Sequence, residues 1–280
     1  MEYVTLNNNI KMPVLGYGVY QIDPAETQRC VLDAIASGYR LIDTAQVYGN
    51  EEAVGNAINM CGVPREKLFL TTKIWISNAG YEKARQAMEE SLSRLQTGYI
   101  DLMLIHQPFG DYYGAYRAME EAYNEGWIRA IGVSNFYPDR LVDLCQFAEI
   151  PPAVNQVETH VFHQQKAAKS YMDKYHVQQE AWAPFAEGKK DFFSNPVLLE
   201  IGGKYRKSAA QVALRYLIQN GIVVIPKSVH RERMEENFRV FDFQLDEADM
   251  AKISALDEEK SVFFSHYDPA LVERLASAAR

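Results

Sequence analysis

The sequence predicts an α/β fold: one (β/α)8 barrel with an N-terminal β-hairpin and a C-terminal tail. Short β-branched runs alternate with longer amphipathic runs along the chain, the pattern of βαβ units around a parallel sheet. The length of 280 residues suits one such barrel, which takes about 250. No linker, repeat or low-complexity stretch divides residues 1–280, so a single domain is expected.

The hairpin comes first. Tyr3–Leu6 and Ile10–Met12 flank the turn-forming Asn7-Asn8-Asn9, placed to cover one end of the barrel. Met12–Val19 reads as the first strand and Ala25–Ser37 as a helix ending at Gly38. Strand Leu41–Asp43 precedes helix Glu51–Met60, and strand Leu68–Lys73 precedes helix Tyr81–Leu95. Strand Leu102–His106 leads to helix Tyr113–Asn124, which stops near Gly126. Strand Ala130–Ser134 pairs with helix Pro138–Phe147, and strand Ala153–Glu158 with helix Gln165–Tyr175. Strand Gln179–Ala183 is followed by a loop and by helices over Pro196–Lys204 and Ser208–Gln219. Strand Val223–Ile225 and helix Glu232–Arg239 complete eight strand–helix units, the count that closes a barrel. Ser261–Arg280 lies beyond this repeat as a tail carrying Phe263, Phe264 and Tyr267.

Hydrophobic residues make up 48% and charged residues 24% of the chain, the balance of a globular protein with a sizeable core. A net charge of −8 repels polyanions, which argues against nucleic acid or an anionic membrane as a partner. No apolar run reaches the roughly 18 residues a membrane helix needs. Cys30, Cys61 and Cys145 are too scattered for a disulfide framework or a Cys-x-x-Cys pair. Met1-Glu2-Tyr3 opens no basic segment followed by an apolar run, so no signal peptide is expected. A reducing cytoplasm is the expected setting. His160, His163, His176, His230 and His266 show no metal-ligand spacing and read as surface or loop residues, so no metal is expected.

Chemistry in such barrels gathers at the C-terminal ends of the strands. These strands end on Asp43, Lys73, His106, Ser134, Glu158 or the nearby Gln156, and Pro226-Lys227-Ser228. Tyr48 follows Asp43 on the same loop. A free tyrosine, with a pKa of about 10, is a slow acid at neutral pH. A neighbouring ammonium, Lys73, is expected to lower that pKa, with Asp43 holding Lys73 in place. His106 is placed to donate a hydrogen bond to a carbonyl oxygen. The set polarises C=O and delivers a proton. It lacks a nucleophile with an adjacent base, so acyl transfer fits poorly.

Side chains supply no hydride, so this chemistry needs a cofactor. Gly16-Tyr17-Gly18 begins like a dinucleotide fingerprint, but Gln21 stands where the third glycine belongs. Ile225-Pro226-Lys227-Ser228-Val229, with Arg233, Glu236 and Asn237, is the better candidate. Lys227, Ser228 and Arg233 can hold a phosphate at a helix N-terminus, which favours NADPH over NADH. Glu236 and Asn237 are placed to hydrogen-bond adenine. Read alone, Arg233 and Glu236 serve equally as a solvated helix pair.

Four segments together resemble the aldo-keto reductase family. They are Gly38-Tyr39-Arg40-Leu41-Ile42-Asp43-Thr44-Ala45 with Tyr48, Glu51 and Gly55; Lys73-Ile74-Trp75; Ile131-Gly132-Val133-Ser134-Asn135-Phe136; and Ile225-Pro226-Lys227-Ser228 with Arg233, Glu236 and Asn237. They occur in order over nearly the whole chain. The resemblance implies a barrel that binds NADP(H) in extended form and a catalytic tetrad of Asp43, Tyr48, Lys73 and His106. It implies that Ser134, Asn135 and Gln156 meet the nicotinamide carboxamide and that Trp182 stacks on the ring. Pro184 and Val229 join the cofactor-binding set. A tryptophan in Ala181-Trp182-Ala183-Pro184 is similar to the bacterial 2,5-diketogluconate reductase branch. Tyr20, Trp75 and Phe109 are implied as the substrate frame, with part of the tail, to which we add Phe263 and Phe264. Lys189 and Lys190 are candidates for pyrophosphate contact or solvated charges.

A small carbonyl compound is the expected partner and a monomer the expected state. A diketo-sugar acid and a small reactive aldehyde both fit as substrates. The alternative function is a regulatory protein on the same barrel, as in channel-subunit relatives, against which the intact tetrad argues. A metal-dependent hydrolase would need a His-x-His pair at an early strand end, and the sequence has none there.

Overall fold

The computed structural model describes residues 1–279. Strands β1 (Tyr3–Thr5) and β2 (Lys11–Pro13) form the antiparallel hairpin. Eight parallel strands follow: β3 (Gly16–Gly18), β4 (Leu41–Asp43), β5 (Phe69–Ile74), β6 (Leu102–Ile105), β7 (Ile131–Ser134), β8 (Val154–Glu158), β9 (Gln178–Trp182) and β10 (Val223–Val224). They pair in sequence order. The first and last meet through a bridge between Leu15 and Val224, reinforced where Gly18 N–H donates to Pro226 C=O at 3.2 Å. The barrel is thereby closed.

Helices fill the connections between barrel strands: α1 (Pro24–Ala36), α2 (Glu51–Met60), α3 (Tyr81–Leu95), α4 (Tyr112–Asn124), α5 (Pro138–Phe147), α6 (Lys166–Lys174) and the first of a pair after β9, α7 (Pro196–Tyr205). The second of that pair is α8 (Ala209–Gln219), and α9 (Arg231–Phe238) follows β10. Local chemistry sets their starts. Asp23 caps α1 ahead of Pro24, and Ser208 with Gln211 forms a reciprocal capping box on α8.

Strand alternation divides the core in two. Ile42, Leu70, Met103, Ile131, Val157, Ala181 and Val224 point outward and pack with the helices. Leu41, Phe69, Leu102, Leu104, Val154 and Val223 point inward, and Leu6 and Met12 of the hairpin join them. Asn7 and Asn8 side chains donate to the Pro152 and Arg129 carbonyls at 3.0 and 2.9 Å, fixing the hairpin over the N-terminal end. The glycines of the broken fingerprint have a packing cause. A Cβ on Gly16 would sit 2.0 Å from Leu41 Cδ2, so the residue admits close approach of the neighbouring strand's side chain.

The sequence reading departs from the structure in two places. Met12–Val19 is two strands rather than one, because the chain leaves the hairpin at Pro13, which has no N–H to continue a ladder. The stretch after the eighth repeat is also more ordered than read, both ahead of the tail and within it. Helices α10 (Glu247–Ser254) and α11 (Pro269–Ala278) follow the barrel, each capped by an aspartate, Asp246 and Asp268. Those cap signals fall outside the eight-fold repeat that organised the sequence reading. Among the described residues no helix is long and apolar enough to cross a membrane.

Asp101 binds the N-terminal ends of three strands. It is fully buried and accepts from Arg65 and Arg129, both at 2.8 Å, and from Leu70 N–H at 3.0 Å. Asp101→Ala leaves those donors without their acceptor. It should cost about 3 kcal/mol and lower the melting temperature by roughly 5–10 °C. A melting curve unchanged from wild type would contradict this role.

Candidate active site

At the C-terminal end of the barrel, Asp43 ends β4 and Lys73 lies one residue before the end of β5. Both are almost completely buried. Tyr48 ends a short turn, Gln46–Tyr48, that closes on Gly49 in the left-handed region at φ 67°. Two side chains fix this turn. Gln46 donates to Ala87 C=O and Ser91 Oγ, both at 3.0 Å, and accepts Trp75 N–H at 3.1 Å. Asn50 accepts the Thr44 hydroxyl at 2.8 Å and donates to Val19 C=O at 3.1 Å.

The Lys73 ammonium has three protons and three acceptors: Asp43 Oδ1 at 2.6 Å, Thr44 C=O at 2.9 Å and Tyr48 Oη at 3.4 Å. Burial disfavours its charge, but the Asp43 carboxylate and Tyr48 outweigh burial and raise its pKa. His106, just beyond β6, faces Tyr48 edge-on at 5.7 Å between ring centroids. The four residues therefore meet around one point.

The expected lowering of the Tyr48 pKa is corrected by the structure. Burial is the largest influence and Lys73 offsets only part of it, so the phenol is pushed up to about 12. Burial, then the nearby Lys73 charge and His266, hold His106 well below the usual histidine range. Its imidazole is neutral at pH 7 and retains one N–H to donate.

Gln156 on β8 donates from Nε2 to Asp43 Oδ2 at 2.8 Å and to Glu180 Oε2 at 3.0 Å. Among the described residues its Oε1 takes no hydrogen bond, and it is free for an amide donor. Ser134 ends β7 beside it, and Asn135 follows directly. Asn135 Nδ2 donates to His106 C=O, and its Oδ1 accepts Trp182 Nε1–H at 2.9 Å. Trp182 packs against Phe263 and Phe264 with centroids 5.3 and 6.2 Å away. Tyr20 packs at a tilt on Tyr48 with centroids 4.9 Å apart, and Trp75 meets His106 edge-on at 5.0 Å. Phe109 stands apart from that pair. It stacks on His266 at 5.9 Å in a groove of about 400 Å³ that Asn135, Tyr137 and Tyr267 also line.

The segment after β10 presents Lys227 and Arg233 exposed, with no carboxylate paired to either among the described residues. Arg233 does not pair with Glu236; Arg231 instead pairs with Glu235 at 3.0 Å. Ser228 is buried and Val229 half-buried, and Tyr17 Oη–H donates to the Ser228 carbonyl at 2.5 Å. The first turn of α9 has no side-chain cap, which leaves its N–H groups facing out. Glu236 and Asn237 side chains make no hydrogen bond among the described residues, while Pro184 is buried just past β9. Unpaired cations beside a free helix start fit a phosphate.

Two histidines differ from the reading of surface or loop residues. His160 is fully buried and bonds Glu158 at 3.0 Å; His266 is buried and bonds Gln107 Oε1 at 2.7 Å. Glu158 lies two residues before His160, but the burial of that pair is set by the packing around it, and the partner of His266 arrives from a segment 159 residues away. Lys189 and Lys190 hold the C-terminal segment: Lys189 donates to Val262 C=O at 3.2 Å, and Lys190 pairs with Glu258. Among the described residues no group of three or more His, Cys, Asp or Glu is arranged to hold a metal ion. Glu180 also escaped sequence reasoning. Its signal was strand alternation, since it lies two residues before Trp182 and so faces the same way.

The sequence matches the model of the aldo/keto reductase family over residues 14–258. It is 47% identical to a glyoxal reductase of Bacillus subtilis over 263 residues, covering 93% of this chain and 95% of that protein. The fold superposes on MGS-M4, an aldo-keto reductase enzyme from a deep-sea metagenome library, with a TM-score of 0.93. That pair is 46% identical and covers 95% of this chain and 98% of the other. A Bombyx mori aldo-keto reductase in complex with NADP superposes with a TM-score of 0.89 at 32% identity, covering 94% and 95%.

The depressed basicity of His106 has a direct readout. At about pH 5.5, where a free histidine of pKa about 6.5 is mostly protonated, its ring nitrogens should keep the ¹⁵N shifts of neutral imidazole. An imidazolium signature there would contradict the buried, Lys73-facing environment.

Proposed function

The chain belongs to the aldo/keto reductase family, and on that premise we propose that it reduces a small reactive aldehyde of the glyoxal type, with Tyr48 giving the proton. It is an oxidoreductase that reduces aldehydes and ketones and uses NADP(H). When bound, the reduced cofactor supplies the hydride. One observation carries the reading of the site: the buried contact chain from Asp43 through Lys73 to the Tyr48 hydroxyl.

In this reading the neutral His106 donates to the carbonyl oxygen and orients it beside Tyr48. Charge that develops on that oxygen draws the Tyr48 proton. A pKa of about 12 makes Tyr48 a poor acid toward water at neutral pH. It remains acid enough here, because an alkoxide is a far stronger base than the phenolate. Lys73 then stabilises the phenolate left behind, and Asp43 keeps Lys73 aimed.

Gln156, Ser134 and Asn135 are assigned to the carboxamide, and Trp182 to the nicotinamide face. Asn135 Oδ1 accepts Trp182 Nε1–H and keeps a second lone pair that would be open to an amide donor. Lys227, Ser228, Val229 and Arg233 are assigned to the 2′-phosphate, Glu236 and Asn237 to adenine, and Pro184 to the cofactor channel. Tyr20 and Trp75 wall the carbonyl position, with Phe109 farther out. The tight aromatic walls support a small aldehyde, as does the likeness to a glyoxal reductase. A monomer suffices in this reading, since the contacts joining Asp43, Lys73 and Tyr48 call on no second copy. Three free thiols support a reducing cytoplasm.

The purified protein should oxidise NADPH when given glyoxal or methylglyoxal, followed by near-ultraviolet absorbance. Tyr48→Phe should keep NADPH affinity and lose about 10³-fold in turnover. Near-wild-type turnover in that variant would remove Tyr48 as proton donor, and an inert wild type would remove the substrate class. Arg233→Ala should weaken NADPH about tenfold, some 1.4 kcal/mol, and leave NADH nearly unchanged. Equal effects on the two cofactors would refute the 2′-phosphate assignment.

A further inference from the structure

Glu180 lies inside the barrel on β9 with no exposed surface. Its Oε2 accepts from Gln156 Nε2 at 3.0 Å, and the same nitrogen donates to Asp43 Oδ2 at 2.8 Å. Asp43 Oδ1 holds Lys73, which touches the Tyr48 hydroxyl. One amide group thus joins a second buried carboxyl to the proton-donating pair. The titratable groups that face Glu180 are Asp43 on β4 and Lys73 on β5. Its register neighbours, Gln156 on β8 and Val223 on β10, carry no charge.

We propose that Glu180 is a positioning residue for this reaction, acting through Gln156 and Asp43 to set how strongly Lys73 favours the Tyr48 phenolate. The inference rests on Tyr48 as the proton donor. An amide NH₂ has two hydrogens, and Gln156 spends them on two carboxyl groups. That arrangement turns Gln156 Oε1 away from both acids. Burial first, then the Asp43 carboxylate, raise Glu180 to about 8, against the opposing influence of Gln156 and Lys73. Below that pH Glu180 is neutral, and the buried set holds one carboxylate and one ammonium in balance. Above it, a second carboxylate offsets more of the Lys73 field in a weakly screening interior. The phenolate then becomes harder to form, so Tyr48 ionises at higher pH than it would without Glu180.

The test measures aldehyde reduction with NADPH and alcohol oxidation with NADP⁺ from about pH 7 to about pH 11.5, a range that takes in the foot of the Tyr48 limb. It compares wild type with Glu180→Gln and Glu180→Met. Gln keeps the shape and the acceptor for Gln156, while Met keeps only the approximate volume, so either folded variant suffices. Both the rise of oxidation and the fall of reduction with pH should move down by roughly half to one unit. A purely structural role would lower rates without moving those limbs. Limbs that superimpose on wild type in a variant with a normal melting curve would overturn the proposal. Tyr48→Phe measured alongside separates the two readings. An active Tyr48→Phe defeats the proton-donor assignment, whereas an inactive one with unmoved Glu180 limbs defeats only this inference.

Discussion

The site depends on the burial of one ammonium group. Lys73 lies inside the barrel with no exposed surface, where an unpaired charge would be costly. Its three acceptors come from β4 and the loop after it: the Asp43 carboxylate, the Thr44 carbonyl and the Tyr48 hydroxyl. Satisfying the charge therefore fixes the loop that carries Tyr48. The same contact that makes Lys73 tolerable in the core places the phenol beside it. Gln46 and Asn50 tie the rest of that loop to α3 and to the end of the first barrel strand.

A second set of polar contacts anchors the segment after α10. Glu158, at the end of β8, accepts from Ser261 Oγ at 2.5 Å and from Val262 N–H and His160 Nε2, both at 3.0 Å. Burial alone would raise its pKa, but these hydrogen bonds outweigh burial and hold it below the usual glutamate value. Farther along, His266 bonds Gln107, and its backbone N–H donates to Tyr137 Oη at 3.2 Å. Burial pushes His266 down to about 4, so this latch operates with a neutral ring at physiological pH. Between the two anchors, Phe263 and Phe264 press on Trp182. The tail is a wall of the site built from distant sequence.

The barrel was legible because its signals are periodic and local. Alternating strand and helix patterns, with caps such as Asp23-Pro24, specify where elements begin. Asp43, Lys73 and His106 were legible for a related reason, since polar residues at successive strand ends in a closed barrel converge on one space. The hairpin was legible from its Asn-rich turn. Helices α10 and α11 were not, because they follow the last repeat, although Asp246 and Asp268 carry ordinary cap signals.

By itself the sequence determined the fold class, the strand ends and the residues that meet there, because spacing along a strand dictates direction. Only the tertiary structure decided their electrostatic state. The sequence reading expected Lys73 to make Tyr48 a stronger acid, yet desolvation of the phenol outweighs that attraction. Burial depends on everything packed around a group, which no local pattern records. The same reason hid the second buried carboxyl: Glu180 matters through Gln156 and Asp43, residues 24 and 137 positions earlier in the chain, brought to it only when the barrel closes.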